Sequence, residues 1–222
     1  MTAVAYWCLW LSLKVLGRLL FRLRAIGREY IPEGGVLIAA NHASFLDIPL
    51  LGCSLPRRAS FLGRQDLFAV PGFHWMFRKL GWIPIRLSRL DREGFGKATG
   101  LIKSGNIVVI YPEGTRTADG NLQPGKPGVG VIVEATGCPV VPVYLDGTYK
   151  ALPTGAAWIR PHPVRVIFGK PIDFSADAQR YQGKDFYQHV SRTVMEKIAE
   201  LGQVPPPVNR SSQSAAESFN AE

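Results

Sequence analysis

A chain of 222 residues with 46% apolar content is long enough for one domain with a sizeable core, and that content excludes disorder throughout. Lys and Arg number 26 against 17 Asp and Glu, but the excess is uneven: residues 1–90 hold 12 basic and 4 acidic side chains, residues 91–222 hold 14 and 13. The first part of the chain is therefore expected to meet an anionic surface or substrate, either lipid or nucleic acid, while Cys8, Cys53 and Cys138 have neither metal-ligand nor disulfide spacing and favour a reducing compartment.

The opening run "AVAYWCLWLSLKVLGRLLFRLRAIG" is apolar from Ala3 to Leu13 and then interleaves apolar residues with Lys14, Arg18, Arg22 and Arg24. Lys14, Arg18 and Arg22 recur every four residues, so on a helix they drift slowly around one side. Tyr6, Trp7 and Trp10 are residue types that favour the membrane interface. A spanning helix needs about 20 apolar residues, and Lys14 interrupts this run early. No small-residue cleavage site follows a short apolar core, so a removed signal peptide is not expected. The reading is an amphipathic helix within residues 1–26 that lies in or dips into a membrane face, its basic residues toward anionic head groups; an ordinary core helix is the alternative.

After the turn "PEGG", Val36–Ala40 reads as a short buried strand. A helix is expected from about Ser44 to Pro56, a strand over Ala59–Gly63, and a helix in "PGFHWMFRKLG" that stops at Gly81. "WIPIRL" alternates as a strand does, with Pro84 pointing to an edge position. "REGFGKATGLIKSG" is a weak helix closed by Gly105, "NIVVIYP" a buried strand, and "PGVGVIVEATG" a helix opened by Pro127 and closed by Gly137. "PVVPVYL" and "PVRVIFG" are further strands. Phe186, Val190, Val194, Ile198 and Leu201 mark a C-terminal amphipathic helix stopped by Pro205–Pro207. The expected organisation is the helix of residues 1–26, a domain over 27–203, and a tail over 204–222 with too few large apolar residues to fold alone. Strands alternating with helices make the domain α/β, with a largely buried central sheet flanked by helices. A ligand is expected beyond the strand ends, where "NHASFLD" and "YPEGTRT" emerge.

In the first of these loops, His42 titrates near neutrality and can take a proton from a hydroxyl, and Asp47 can hold its other ring nitrogen. A spacing of five is poor for contact within one helix; it works if His42 lies in the turn and Asp47 in the first helical turn. A chance pair, with Ser44 capping a helix, is the alternative. The motif G-x-S-x-G is absent, no cysteine has a histidine near it in sequence, and His74, His162 and His189 lack metal-like spacing and read as structural or surface residues. A base at His42 would therefore act on a hydroxyl of the substrate. In the second loop, Arg116 can hold a phosphate through its fork of N–H donors, Gly114 lets amides approach an anion, and Thr115 and Thr117 add hydroxyls. Glu113 can orient Arg116 or bind a substrate hydroxyl; a turn with a surface ion pair is the alternative. Lys126 in "QPGKPGVG" is an anion contact at a helix start or part of a glycine-rich turn.

Together these pieces resemble the 1-acyl-sn-glycerol-3-phosphate acyltransferase family of glycerolipid acyltransferases. Its first block, N-H-x4-D, is matched by Asn41–Asp47; its E-G-T-R-S/T loop by Glu113–Thr117; its V-P-V strand by Val141, Pro142 and Val143. The resemblance covers roughly Gly27 to Phe174. The second block departs: "GWIPIRLSR" has Arg86 where the family usually has an acid and Leu87 where it has arginine, leaving Arg89, two residues on, as a further candidate. Arg64 stands where the family often has lysine. The resemblance implies a mixed sheet, and a mechanism in which His42, held by Asp47, deprotonates the sn-2 hydroxyl of lysophosphatidic acid. The alkoxide then attacks the thioester carbonyl of acyl-CoA or an acyl carrier protein. Glu113, Gly114, Thr115 and Arg116, with Arg64, Arg86, Arg89 and Lys126 as further contacts, hold the acceptor. It also implies no cofactor beyond the acyl donor, no metal, membrane lipids as partners, and a site at the cytoplasmic face of the cell membrane. The alternatives are acylation of a different lysolipid, such as a lyso-ornithine lipid or a lysophospholipid, and a non-catalytic protein binding anionic lipid. Nucleic acid is not an expected partner, since the arginines sit among long aliphatics and no nucleic-acid motif is present.

Overall fold

The computed structural model describes residues 3–65, 81–86 and 91–207, with side chains from residue 11 onward. The elements in chain order are α1 (Ala3–Phe21), β1 (Arg24–Ile26), β2 (Val36–Ala40), α2 (Asp47–Ser54), β3 (Ala59–Arg64), β4 (Trp82–Ile85), α3 (Arg92–Lys103), β5 (Ile107–Ile110), α4 (Gly128–Thr136), β6 (Val140–Asp146), α5 (Thr148–Ala151), β7 (Arg165–Phe168) and α6 (Gly183–Gly202). The helix expected in residues 71–81 and most of the 204–222 tail fall outside the described residues, as do Leu87, Arg89 and the side chains of Tyr6, Trp7 and Trp10.

The strands form one mixed seven-stranded sheet in the order β1-β7-β6-β2-β5-β3-β4. β2 through β6 run parallel, and β7 turns antiparallel against β6. The parallel strands lack polar alternation because both faces are covered. Leu37, Val108, Leu62, Ile83 and Val140 face one layer with Ile102 of α3, Ile132 of α4 and Val194 of α6. Ile38, Val109, Phe61, Trp82 and Val141 face the other with Ile48 and Leu51 of α2. β4 is the sheet edge, consistent with its Pro84. Gly137 closes α4 at φ 63°, a left-handed cap that glycine adopts without a Cβ clash.

β1 was not legible in the chain's patterning. Its three residues are all exposed and pair with Arg165–Ile167 of β7, so the segment before residue 27 contributes to the sheet as well as forming α1. α1 packs against α2, with Gly17 against Leu50: a Cβ at residue 17 would lie 3.4 Å from Leu50 Cδ2. No helix among the described residues is long and apolar enough to cross a membrane.

The layout decides where chemistry can sit. His42 follows the carboxyl end of β2, Arg64 ends β3, Arg86 follows β4, and Glu113–Arg116 follow β5. These strands are parallel and adjacent, so four segments far apart in sequence open on the same edge of the sheet.

Candidate active site

The departure of the first loop from β2 is fixed by Asn41. Its Nδ2 donates to the Leu145 carbonyl at 3.2 Å and its Oδ1 accepts from the Leu145 amide at 2.7 Å. The buried side chain thus extends the β2–β6 pairing by one step while the backbone turns away.

Asp47, the first residue of α2, is fully buried. One carboxylate oxygen, Oδ2, accepts from the amides of Ala43 and Ser44 at 2.7 Å each and lies 2.8 Å from His42 Nδ1. The five-residue spacing therefore works as a loop wrapped around the carboxylate, with His42 outside the helix. Asp47 favours the Nδ1–H tautomer, which leaves Nε2 as the nitrogen open to a substrate. The imidazole stacks on Tyr111 with centroids 4.0 Å apart and planes inclined by 18°. Burial, reinforced by the charge of Asp47, pushes the Tyr111 phenol well above its ordinary pKa, and its hydroxyl is buried without a protein partner.

Glu113 does not pair with Arg116. Its Oε1 accepts from the His42 amide at 2.9 Å and its Oε2 from the Gln123 amide at 3.2 Å. Burial raises its pKa to about 8, against the lowering effect of those two N–H donors. The Thr117 amide also donates to the His42 carbonyl at 2.9 Å. Both backbone groups of His42 are thereby bound by the second loop. Thr117 is buried and its hydroxyl donates to Asp119 within its own turn at 2.8 Å, so it serves that turn.

A cavity of about 560 Å³ opens between the loops, with His42 on its wall. Ile48, Trp82 and Tyr111 line it toward the α2 layer and Ile85, Phe95 and Ile110 toward the α3 layer; Arg64, Arg86, Arg116, Lys126 and Thr115 also border it. The Arg116 guanidinium lies over the Phe45 ring, 3.5 Å from its centroid. Arg86 Nε reaches Gln65 Oε1 at 3.3 Å. Gly114 has φ +73°, and a Cβ there would meet Lys126 Nζ at 2.8 Å, so the missing side chain is what lets the lysine lie across the turn. Of the sequence-derived candidates, His42, Arg64, Arg86, Gly114, Thr115, Arg116 and Lys126 border one cavity, Asp47 and Glu113 stand behind it, and Arg89 lies outside the described residues. Phe45 and Tyr111 were missed; an aromatic inside the N-H-x4-D block and another ending a buried strand were the available signals. Among the described residues no three His, Cys, Asp or Glu side chains converge as a metal site would.

Comparison with known proteins follows the same lines as the sequence motifs that build this site. The acyltransferase family model covers residues 22–146. The chain belongs to that family. It is 39% identical over 153 residues to a chloroplastic 1-acyl-sn-glycerol-3-phosphate acyltransferase of Brassica napus, covering 66% of this chain and 44% of that one. It is 26% identical over 197 residues to the 1-acyl-sn-glycerol-3-phosphate acyltransferase of Bacillus subtilis, covering 86% and 93%. The chain spans about half the length of the plant and algal relatives it matches, and nearly all of the bacillary one. Among solved structures, the 1-acyl-sn-glycerophosphate acyltransferase PlsC of Thermotoga maritima superposes with a TM-score of 0.68 at 27% identity, over 91% of this chain and 84% of that one. The family thus rests on the sequence matches, and the solved Thermotoga structure shares the fold.

Proposed function

We propose that this acyltransferase-family chain transfers a fatty acyl group from a thioester donor, acyl-CoA or acyl carrier protein, to the sn-2 hydroxyl of lysophosphatidic acid at a membrane surface. The observation that carries the reading is the His42–Asp47 contact on the wall of a cavity lined by both apolar and cationic side chains. The names of the relatives support the acceptor.

In this reading His42 Nε2 takes the sn-2 hydroxyl proton as that oxygen bonds to the thioester carbonyl carbon. The carbon–sulfur bond then breaks, and the imidazolium returns its proton to the departing thiolate. Asp47 stabilises the imidazolium. Arg116, Lys126, Arg64 and Arg86 supply positive charge for the acceptor phosphate, and the guanidinium fork of Arg116 suits a bidentate contact. The apolar walls take the acyl chain. Asp47 and Glu113 hold the base from behind. The exposed leucines of α1 rest on the bilayer, on the cytoplasmic leaflet where activated acyl groups are made.

A thioester-release assay with both donors against a panel of lysolipids tests this. Lysophosphatidic acid should support rapid thiol release, and a lysolipid without phosphate should not. Equal rates with both would end the phosphate assignment, and release with neither would end the transferase reading.

A further inference from the structure

Two segments of the chain carry no acidic residue at all: residues 1–28, with Lys14, Arg18, Arg22, Arg24 and Arg28, and residues 147–172, with Lys150, Arg160, Arg165 and Lys170. They meet in space. The Val164 amide donates to the Phe21 carbonyl at the end of α1 at 2.7 Å, and the Arg24 amide donates to the Val164 carbonyl at 3.1 Å. Phe21 and Val164 share a small buried cluster with Leu50 of α2 and Ala151 of α5. On the outward side of α1, Leu11, Val15, Leu16, Leu19 and Leu20 are exposed, a stripe at helical spacing that no other element among the described residues covers.

Between Leu152 and Val164 the second segment carries Trp158, 82% exposed and the most exposed large apolar side chain among the described residues, next to Ile159 at 52%. This loop is tied down on both sides of its tip. The Ser44 hydroxyl donates to the Leu152 carbonyl at 2.8 Å, the Thr154 hydroxyl donates to the Thr117 carbonyl at 2.7 Å, and the Arg160 amide donates to the Ala151 carbonyl at 2.7 Å. Thr154 borders the cavity. The loop therefore runs from the cavity wall to the end of α1, held at both and presenting a tryptophan–isoleucine tip flanked by exposed Lys150 and Arg160.

We propose that Trp158 and Ile159 form a second membrane anchor, inserted at the interface of a bilayer containing anionic lipid, with α1 as the first. The proposal extends the membrane reading given above, which rests on α1 alone. An indole with one wet edge, a neighbouring aliphatic and arginine at the rim is the side-chain set that partitions to the head-group boundary. Arg165 is paired with Asp146 at 2.8 Å, and the exposed Lys150 and Arg160 beside the tip are what select anionic over zwitterionic lipid. Two separated anchors fix a plane where one helix leaves the molecule free to roll about its axis. The strap between them carries Thr154 on the cavity wall, so the same loop joins both anchors to the cavity that holds His42.

Co-sedimentation of the full chain with vesicles of phosphatidylethanolamine and phosphatidylglycerol, and with vesicles of phosphatidylcholine alone, tests this. The pair W158S/I159S should lower partition to the anionic vesicles about tenfold or more, W158F should restore most of it, and both should melt as the parent does because the tip is exposed. In a chain whose other tryptophans (Trp7, Trp10, Trp75 and Trp82) are changed to Phe, bilayer-embedded bromine should quench the remaining Trp158 emission. Unchanged partition in W158S/I159S, no quenching of that single tryptophan in a chain that still sediments with the vesicles, or a Trp158 effect confined to reactions with a carrier-protein donor would each overturn the proposal. Thiol release with detergent-dispersed acceptor should survive in W158S/I159S. Failure of that control in the parent bears on the transferase reading and leaves the partition result independent.

Discussion

The His42 loop and the cations bordering the cavity face the same space, but they are held in opposite ways. The loop is bound on every side: Asn41 to β6, Asp47 to two amides and the imidazole, Glu113 and Thr117 to the two backbone groups of His42. The cations instead sit at strand ends and loop tips, with Arg64 and Arg86 exposed and Arg116 resting on an aromatic face. The difference matches the physics of the two proposed tasks. Proton transfer demands hydrogen-bond geometry, where a displacement of about 1 Å is costly. Attraction between charges falls off slowly with distance, so the proposed hold on a head group tolerates less exact placement of the cations.

The largest expected effect comes from removing the fixed element itself. H42A should lower turnover by about 10²–10⁴-fold, with circular dichroism and melting unchanged; near-parental turnover would end the base proposal. On the opposite side, R116A should raise acceptor KM about tenfold or more, as expected for loss of a charge-assisted contact, while kcat stays close to parental. If kcat fell instead, Arg116 would belong with the fixed group.

E113Q asks whether a residue of the anion-binding loop in fact serves the base. An amide cannot accept at both positions, so either the His42 or the Gln123 N–H loses its partner, at about 1–3 kcal/mol. The expected signature is a fall in kcat with little change in acceptor KM. A rise in KM alone would return Glu113 to the substrate side. The same residue has a pH signature. Its folded pKa of about 8 lies above the ordinary 4.5, so its contribution to stability is complete below about 4.5 and is lost as pH rises through 8. Melting temperatures across that window should fall more steeply in the parent than in E113Q. The smallest effect is expected from F45L, which removes an exposed cation–π contact of about 0.5–1 kcal/mol. Acceptor KM should rise a few-fold, and F45Y should recover it.

Much of this was readable from residue order because the elements concerned are local. β2, β5, β6 and β7 announce themselves as apolar runs, and α4 is bracketed by Pro127 and Gly137, all close to where the structure has them. The pairing of His42 with Asp47 was readable because five residues fit a loop meeting a helix start. What escaped depends on chain-distant partners. β1 is three exposed residues recruited by β7, with no apolar period to betray it. Glu113 looks like a partner for nearby Arg116, yet its acceptor oxygens meet the amide of His42, 71 positions away, and that of Gln123. The contact of Phe45 with Arg116 needs β2 and β5 side by side, which only the sheet order supplies.

Asn41 has one more use. Its side chain stands in for a missing strand residue, so the Leu145 amide is shielded by a carboxamide and not by strand backbone. Deuterium uptake at that single position should rise when the proposed base loop detaches and stay slow while it holds, giving a spectroscopic gauge of site integrity that needs neither substrate nor turnover.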